Sequence, residues 1–159
     1  MVRILMVCTG NICRSPMAKG VFQQMLEEAA LADQVSVDSA GTHAYHLGSP
    51  PDERSRMAAL RRGVDLSGIR ARRIVTEDFE SFDYVLAMDR DNYQTLQAYC
   101  GSPENRHKIQ MLMEYAPDLP DREVLDPYYG GVNGFERVMD LIEEASRGLL
   151  AHLRERYRF

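Results

Sequence analysis

The apolar run Ile4-Leu5-Met6-Val7 reads as a buried strand, and the stretch from Met17 to Leu26 reads as a helix. Only Cys8-Thr9-Gly10-Asn11-Ile12-Cys13-Arg14-Ser15-Pro16 lies between them, so the chain must pass from strand to helix through one tight loop. Pro16 suits the first helical position, where its missing N–H costs nothing. Gly10 and Asn11 are residue types that tolerate the left-handed backbone of a concave loop. In such a loop the N–H groups point inward and the helix dipole places positive charge at the mouth. Arg14 adds a planar fork able to hold two oxygens of one tetrahedral anion. The unit is therefore an anion cradle at the end of the first strand.

The rest of the 159 residues alternates in kind. Val35 to Ala40 reads as a second strand closed by Gly41, and residues 42–51 as a loop. Asp52 to Arg62 reads as a helix with Gly63 as its stop, followed by an irregular basic stretch over 64–73. Thr76 is expected to cap a further helical turn carrying Glu77 and Asp78. Tyr84 to Met88 and Lys108 to Met113 read as strands, with a short helix from Asp91 to Tyr99 between them. A proline- and acid-rich loop spans 115–131. The last helix, about 134–157, shows Phe135, Val138, Ile142, Ala145, Leu149 and Leu153 at spacings of three and four, and Asn133 with Glu136 resembles a capping box at its start. The pattern predicts an α/β fold: a single domain over 1–159, with a four-stranded parallel sheet, helices on both faces and the anion loop after strand one, in the flavodoxin-like manner. Such sheets bind ligands at the carboxyl ends of their strands.

Composition limits the partners. A net charge of −5 argues against nucleic acid, so positive character must be local to the loop. No run has the length of a membrane span, and Met1-Val2-Arg3 leads straight into strand one without a signal peptide, so no membrane partner is expected. Three cysteines without an export signal imply a reducing, cytoplasmic setting. His43, His46, His107 and His152 show no ligand spacing, and Cys8 and Cys13 are too close and too few for zinc, so neither metal nor cofactor is expected.

Cys8 stands at the base of the cradle. N–H dipoles, a helix start and an arginine all favour a thiolate there, and a thiolate beneath a tetrahedral oxyanion is aimed at phosphorus. Ser15 can donate its hydroxyl proton to that sulfur, and Asn11 and Ser15 are expected to order the loop. The leaving group needs an acid from elsewhere, and Asp126, in Leu125-Asp126-Pro127-Tyr128-Tyr129, is the best candidate. Pro127 stiffens its loop, and the flanking aromatics are expected to shield the carboxyl and keep part of it protonated. Asp118 and Asp121 look like solvated loop charges. Ile12, Tyr45, Tyr128 and Tyr129 could wall a slot for a phenyl ring. Asp89, after the third strand, either steadies Arg14 or the loop, or only caps the next helix. Cys100 reads as structural.

The string Cys8 to Pro16 resembles the signature of the low-molecular-weight protein tyrosine phosphatases, and so do Asp38 to Thr42, Glu77 to Asp89 and the Asp126-Pro127-Tyr128-Tyr129 element. The resemblance implies that Cys8 attacks phosphorus and forms a phosphocysteine. It implies that loop residues Cys8, Thr9, Gly10, Asn11, Ile12, Cys13, Arg14 and Ser15 bind the phosphate, and that Asp126 acts first as acid and then as base. The expected partners are tyrosine-phosphorylated proteins, small aryl phosphates and phosphate-like oxyanions, with the chain a monomer or weak dimer. In relatives a cysteine at the place of Cys13 can close a protective disulfide with the nucleophile; here Cys13 is either that redox partner or a small apolar filler. One departure stands out: Ile69 occupies a position where many relatives carry a histidine that supports the loop. A sister branch that dephosphorylates arginine has threonine where Ile12 stands, which favours phosphotyrosine here. Arsenate reductases share the loop but pass oxidation to cysteines near strand three, where this chain has none; a redox enzyme of that type, an arginine phosphatase of the same family and an idle phosphoprotein-binding module stand as the alternatives to a tyrosine phosphatase.

Overall fold

The computed structural model describes residues 1–128 and 132–159, without the side chains of Val132 and Asn133. Strand β1, Val2–Cys8, is apolar on both sides because both faces of the sheet are covered. Ile4 and Met6 enter one core, and Leu5 and Val7 enter the other. On one flank β1 pairs in parallel with β2, Val35–Gly41, so that Cys8 faces Gly41. On the other flank it pairs with β3, Tyr84–Ala87, where Val7 faces Ala87. β4, Ile109–Met111, completes an all-parallel sheet in the order β2-β1-β3-β4.

Parallel neighbours need crossover connections, and helices supply them. α1, Arg14–Glu28, and α5, Val132–Tyr157, cover the Ile4 face. The six apolar positions expected along the last helix are all buried there. α3, Asp78–Ser81, and α4, Arg90–Tyr99, cover the opposite face, where Phe79 and Leu96 meet Leu5 and Val7. α2, Glu53–Leu60, packs beside α1 and α5. Short 3-10 turns over Pro103–Lys108 and Leu112–Tyr115 flank β4. Chain order reverses direction between the connections on either side of β1, so the ends of β1 and β3 open a crevice where such folds take ligands. Among the described residues no helix is long and apolar enough to cross a membrane.

Local signals misplaced two helix starts. α1 begins at Arg14 rather than Pro16 and ends at Glu28. Pro16 is thus its third residue, still among the first four whose N–H groups have no intrahelical acceptor. Thr76 caps nothing: α3 begins at Asp78, whose buried carboxylate accepts from Val75 N at 2.8 Å and pairs with Arg72. The expected Asn133–Glu136 box and the wall residue Tyr129 lie outside the described residues and side chains.

Candidate active site

The loop leaving β1 is held by its neighbours' backbones. Thr42 N donates to Cys8 O at 2.9 Å, His43 N to Thr9 O at 3.0 Å and Asp52 N to Ile12 O at 2.7 Å. A Cβ on Gly41 would lie 2.7 Å from Thr9 O, so only glycine lets the end of β2 pass this close. Asn11 carries the left-handed turn, at φ 59°, and Gly10 is not needed for it. Gly10 instead faces the His46 ring, whose Cδ2 would be 3.1 Å from an added Cβ. The buried Asn11 amide works in both directions, donating to Ser15 Oγ at 2.7 Å and accepting from Arg72 N at 2.9 Å. Ile69 is buried and apolar, and the Arg72 backbone serves Asn11.

Cys8 Sγ and Ser15 Oγ are 3.0 Å apart. Because Ser15 Oγ already accepts from Asn11, its own proton is available to the sulfur or, at 3.4 Å, to Ala40 O. Arg14 is 1% exposed. Its Nη1 donates to Asp89 Oδ2 at 2.6 Å and Val124 O at 2.9 Å; its Nη2 donates to Thr9 Oγ1 at 3.3 Å and lies 3.6 Å from Asp126 Oδ2. Burial opposes its charge, but Cys8, Asp89 and Asp126 outweigh burial and hold the guanidinium above its ordinary pKa. Its Nε, also buried, has no protein acceptor among the described residues. Asp89 does both things foreseen for it: Oδ2 grips Arg14, and Oδ1 accepts Asn92 N at 2.7 Å to cap α4. Asn92 Nδ2 in turn donates to Thr9 Oγ1 at 3.1 Å.

A cavity of about 470 Å³ opens over the loop. Cys8, Thr9, Ile12 and Arg14 line it from the loop, and Tyr45, His46, Asp126 and Tyr128 line it from other segments. Of the residues expected to wall a slot, Ile12, Tyr45 and Tyr128 line this cavity; Tyr45 is 68% exposed and stacks on His43, with 5.1 Å between ring centroids. The expected shield around Asp126 is absent: its side chain is 45% exposed. Its orientation comes from Oδ1 accepting Tyr128 N at 3.0 Å and from Arg14 beside Oδ2. His46 had no sequence signal, since its place follows from how residues 42–51 fold back on Thr9. Cys8, Cys13 and Cys100 are all free thiols. Burial pushes the Cys13 thiol up to about 12, despite the Ser55 hydroxyl beside it. Cys100 is buried, with Sγ 3.4 Å from Ser102 O. Among the described residues no three His, Cys, Asp or Glu side chains gather as a metal site.

The chain matches the family model of low molecular weight phosphotyrosine protein phosphatases over residues 3–158. It is 40% identical over 155 residues to a low molecular weight protein-tyrosine-phosphatase of Streptomyces coelicolor, a match that covers 96% of this chain and 94% of that one. A protein tyrosine phosphatase from Entamoeba histolytica, crystallised with Hepes in the active site, superposes with a TM-score of 0.93 at 40% identity, over 98% of both chains. The YwlE arginine phosphatase, solved as a mutant with a phosphorylated active-site serine, superposes with a TM-score of 0.87 at 32% identity, over 99% of both chains.

Proposed function

The chain belongs to the low molecular weight phosphotyrosine protein phosphatase family, and from that premise we propose that it hydrolyses phosphotyrosine in proteins, and small aryl phosphates, through a phosphocysteine on Cys8. The observation that carries this reading is Arg14. Its Nη1 and Nη2 are held by Asp89, Val124 and Thr9, while its buried Nε has no acceptor among the described residues, and Arg14 lines the same cavity as Cys8. A phosphate oxygen supplies that acceptor and meets a guanidinium already oriented, which removes reorganisation from the reaction.

In the first step Cys8 Sγ attacks phosphorus as the bond to the phenolic oxygen breaks. Asp126 gives its proton to that oxygen. In the second step a water attacks the phosphocysteine: Asp126 takes its proton, an O–P bond forms and the S–P bond breaks. The Ser15 hydroxyl steadies the sulfur both as nucleophile and as leaving group, at the 3.0 Å separation the two atoms keep. Ile12 offers an aliphatic wall to an aryl ring. Phosphoarginine is the second reading, supported by the likeness to YwlE.

Phosphate release is measured from phosphotyrosine, phosphoarginine and phosphoserine peptides without added metal. Phosphotyrosine turnover is expected, abolished in Cys8→Ser and lowered at least about a hundredfold in kcat/KM in Asp126→Asn. A preference for phosphoarginine overturns the role given to Ile12. Absence of turnover by freshly reduced protein overturns the phosphatase reading.

A further inference from the structure

The segment bearing Asp126 is pinned at both ends. Upstream, Val124 N donates to Met88 O at 2.7 Å, and Val124 O accepts from Arg14 at 2.9 Å. Downstream, Tyr128 N donates to Asp126 Oδ1 at 3.0 Å, and Tyr128 O accepts from Arg54 Nη1 at 2.9 Å. Arg54 also forks onto Asp52, with Nε 3.1 Å from Oδ1 and Nη2 3.1 Å from Oδ2. The backbone N–H of Asp52 holds Ile12 O in the phosphate loop at 2.7 Å. The Arg54 guanidinium lies over two rings as well, 5.1 Å from the centroid of Tyr128 and 4.7 Å from that of Phe135. Arg54 thus joins the phosphate loop, through Asp52, to the far end of the segment that carries the acid.

We propose that Arg54 is a positioning residue for Asp126, and that its clamp on Tyr128 sets how well the enzyme protonates a poor leaving group. The inference rests on the reading of Asp126 as general acid. Asp126 is exposed, so packing does not fix its direction. Among the described residues its anchors are the Tyr128 N–H and the more distant Arg14. Proton transfer needs hydrogen-bond reach, and a misplacement of about 1 Å costs up to about a hundredfold. Without the guanidinium, Tyr128 loses a hold on both its carbonyl and its ring, so the residue shifts, and its N–H carries the Asp126 carboxyl with it. Lysine cannot replace this clamp fully, because a point charge lacks the planar fork that bridges a carboxylate and a carbonyl while stacking on two rings.

The test is the dependence of kcat/KM on the leaving group. Wild type, Arg54→Ala and Arg54→Lys are assayed with phosphotyrosine, whose phenol has a pKa of about 10, and with 2,4-dinitrophenyl phosphate, whose leaving group needs no proton. Arg54→Ala is expected to lose about tenfold or more on phosphotyrosine and less than about twofold on the dinitrophenyl ester, with Arg54→Lys between it and wild type. Inhibition by inorganic phosphate stays within about twofold of wild type, since the Asp52 N–H still holds Ile12 O and the backbone N–H of residue 54 still holds the Asp52 carboxylate. In an Asp126→Asn background, Arg54→Ala adds nothing. Equal losses on both substrates, or a further loss in the Asp126→Asn background, overturn the proposal, because Arg54 then acts on the fold or the cradle at large. If Arg54→Ala does not fold, the same ratio is read from Arg54→Lys. A wild-type chain without turnover overturns the phosphatase reading and this inference with it; an active wild type with a flat leaving-group response overturns the role of Arg54 alone.

Discussion

Asp89 serves two masters with two oxygens, and substitution can separate them. Oδ1 caps α4 through Asn92 N, and Oδ2 meets the buried Arg14 at 2.6 Å. Asparagine keeps an oxygen for the cap and loses the charge, whereas alanine loses both. Losing a cap costs about 1 kcal/mol, so Asp89→Ala is expected to fall about that far below Asp89→Asn in urea unfolding. The charge matters at the cradle instead. Arg14 keeps Val124 O and Thr9 Oγ1 without it, but a charge-assisted bond is worth about 1.5–3 kcal/mol, or roughly tenfold or more in binding. Both variants are therefore expected to raise the phosphate inhibition constant by at least about tenfold. If only Asp89→Ala raises it, the capped helix, and not the carboxylate, holds Arg14 in place.

The elements show which parts of the fold local sequence can encode. Strands β1 and β3 and the long α5 are legible because a buried run, or a spacing of three and four, is a property of the segment itself. Cys8, Asn11, Arg14 and Ser15 are legible for the same reason, since one loop brings them together. The cap at Thr76 fails because the Phe79 and Asp78 N–H groups already go to the carbonyls of Thr76 and Val75, while the Asp78 carboxylate holds Val75 N and Arg72. His46 and Arg54 were missed because their neighbours, Gly10 and Tyr128, are distant in sequence and no periodicity connects them. Gly148 is a similar case. In the middle of α5 it weakens the helix by about 1 kcal/mol relative to alanine. A Cβ there would lie on Tyr115 O, at the end of the 3-10 turn after β4, with the backbone carbonyl carbon 2.9 Å away. Gly148→Ala is expected to destabilise by about 2 kcal/mol, because overpacking against backbone outweighs the gain in propensity. A urea midpoint at or above wild type would mean that α5 slides off the turn at little cost.

At the scale of the whole molecule, carboxylates tie the layers together, and acid should loosen them in a defined range. Asp38 on β2 pairs with Lys19 on α1 and with Arg72 before α3. Burial works against its ionised form, but the Ser39 N–H, Lys19 and Arg72 outweigh burial and lower its pKa. Glu136 on α5 is lowered chiefly by Arg61, against some burial, with help from Arg62 just past the end of α2. For both groups the folded pKa lies below the unfolded value of about 4, so the folded chain binds fewer protons than the unfolded chain in that range. Their contribution is therefore present above about pH 4 and is lost as pH falls through the lower folded values. Partly exposed pairs are worth about 0.5 kcal/mol each after screening, so Asp38→Asn with Glu136→Gln is expected to lose roughly 1–2 kcal/mol at pH 7. Its urea midpoint should also fall less steeply than that of wild type between about pH 5 and 3, because it lacks two of the groups that take up protons on unfolding. Parallel acid limbs in the two proteins would show that these pairs join the layers without favouring the ionised carboxylates, and that other groups govern acid unfolding.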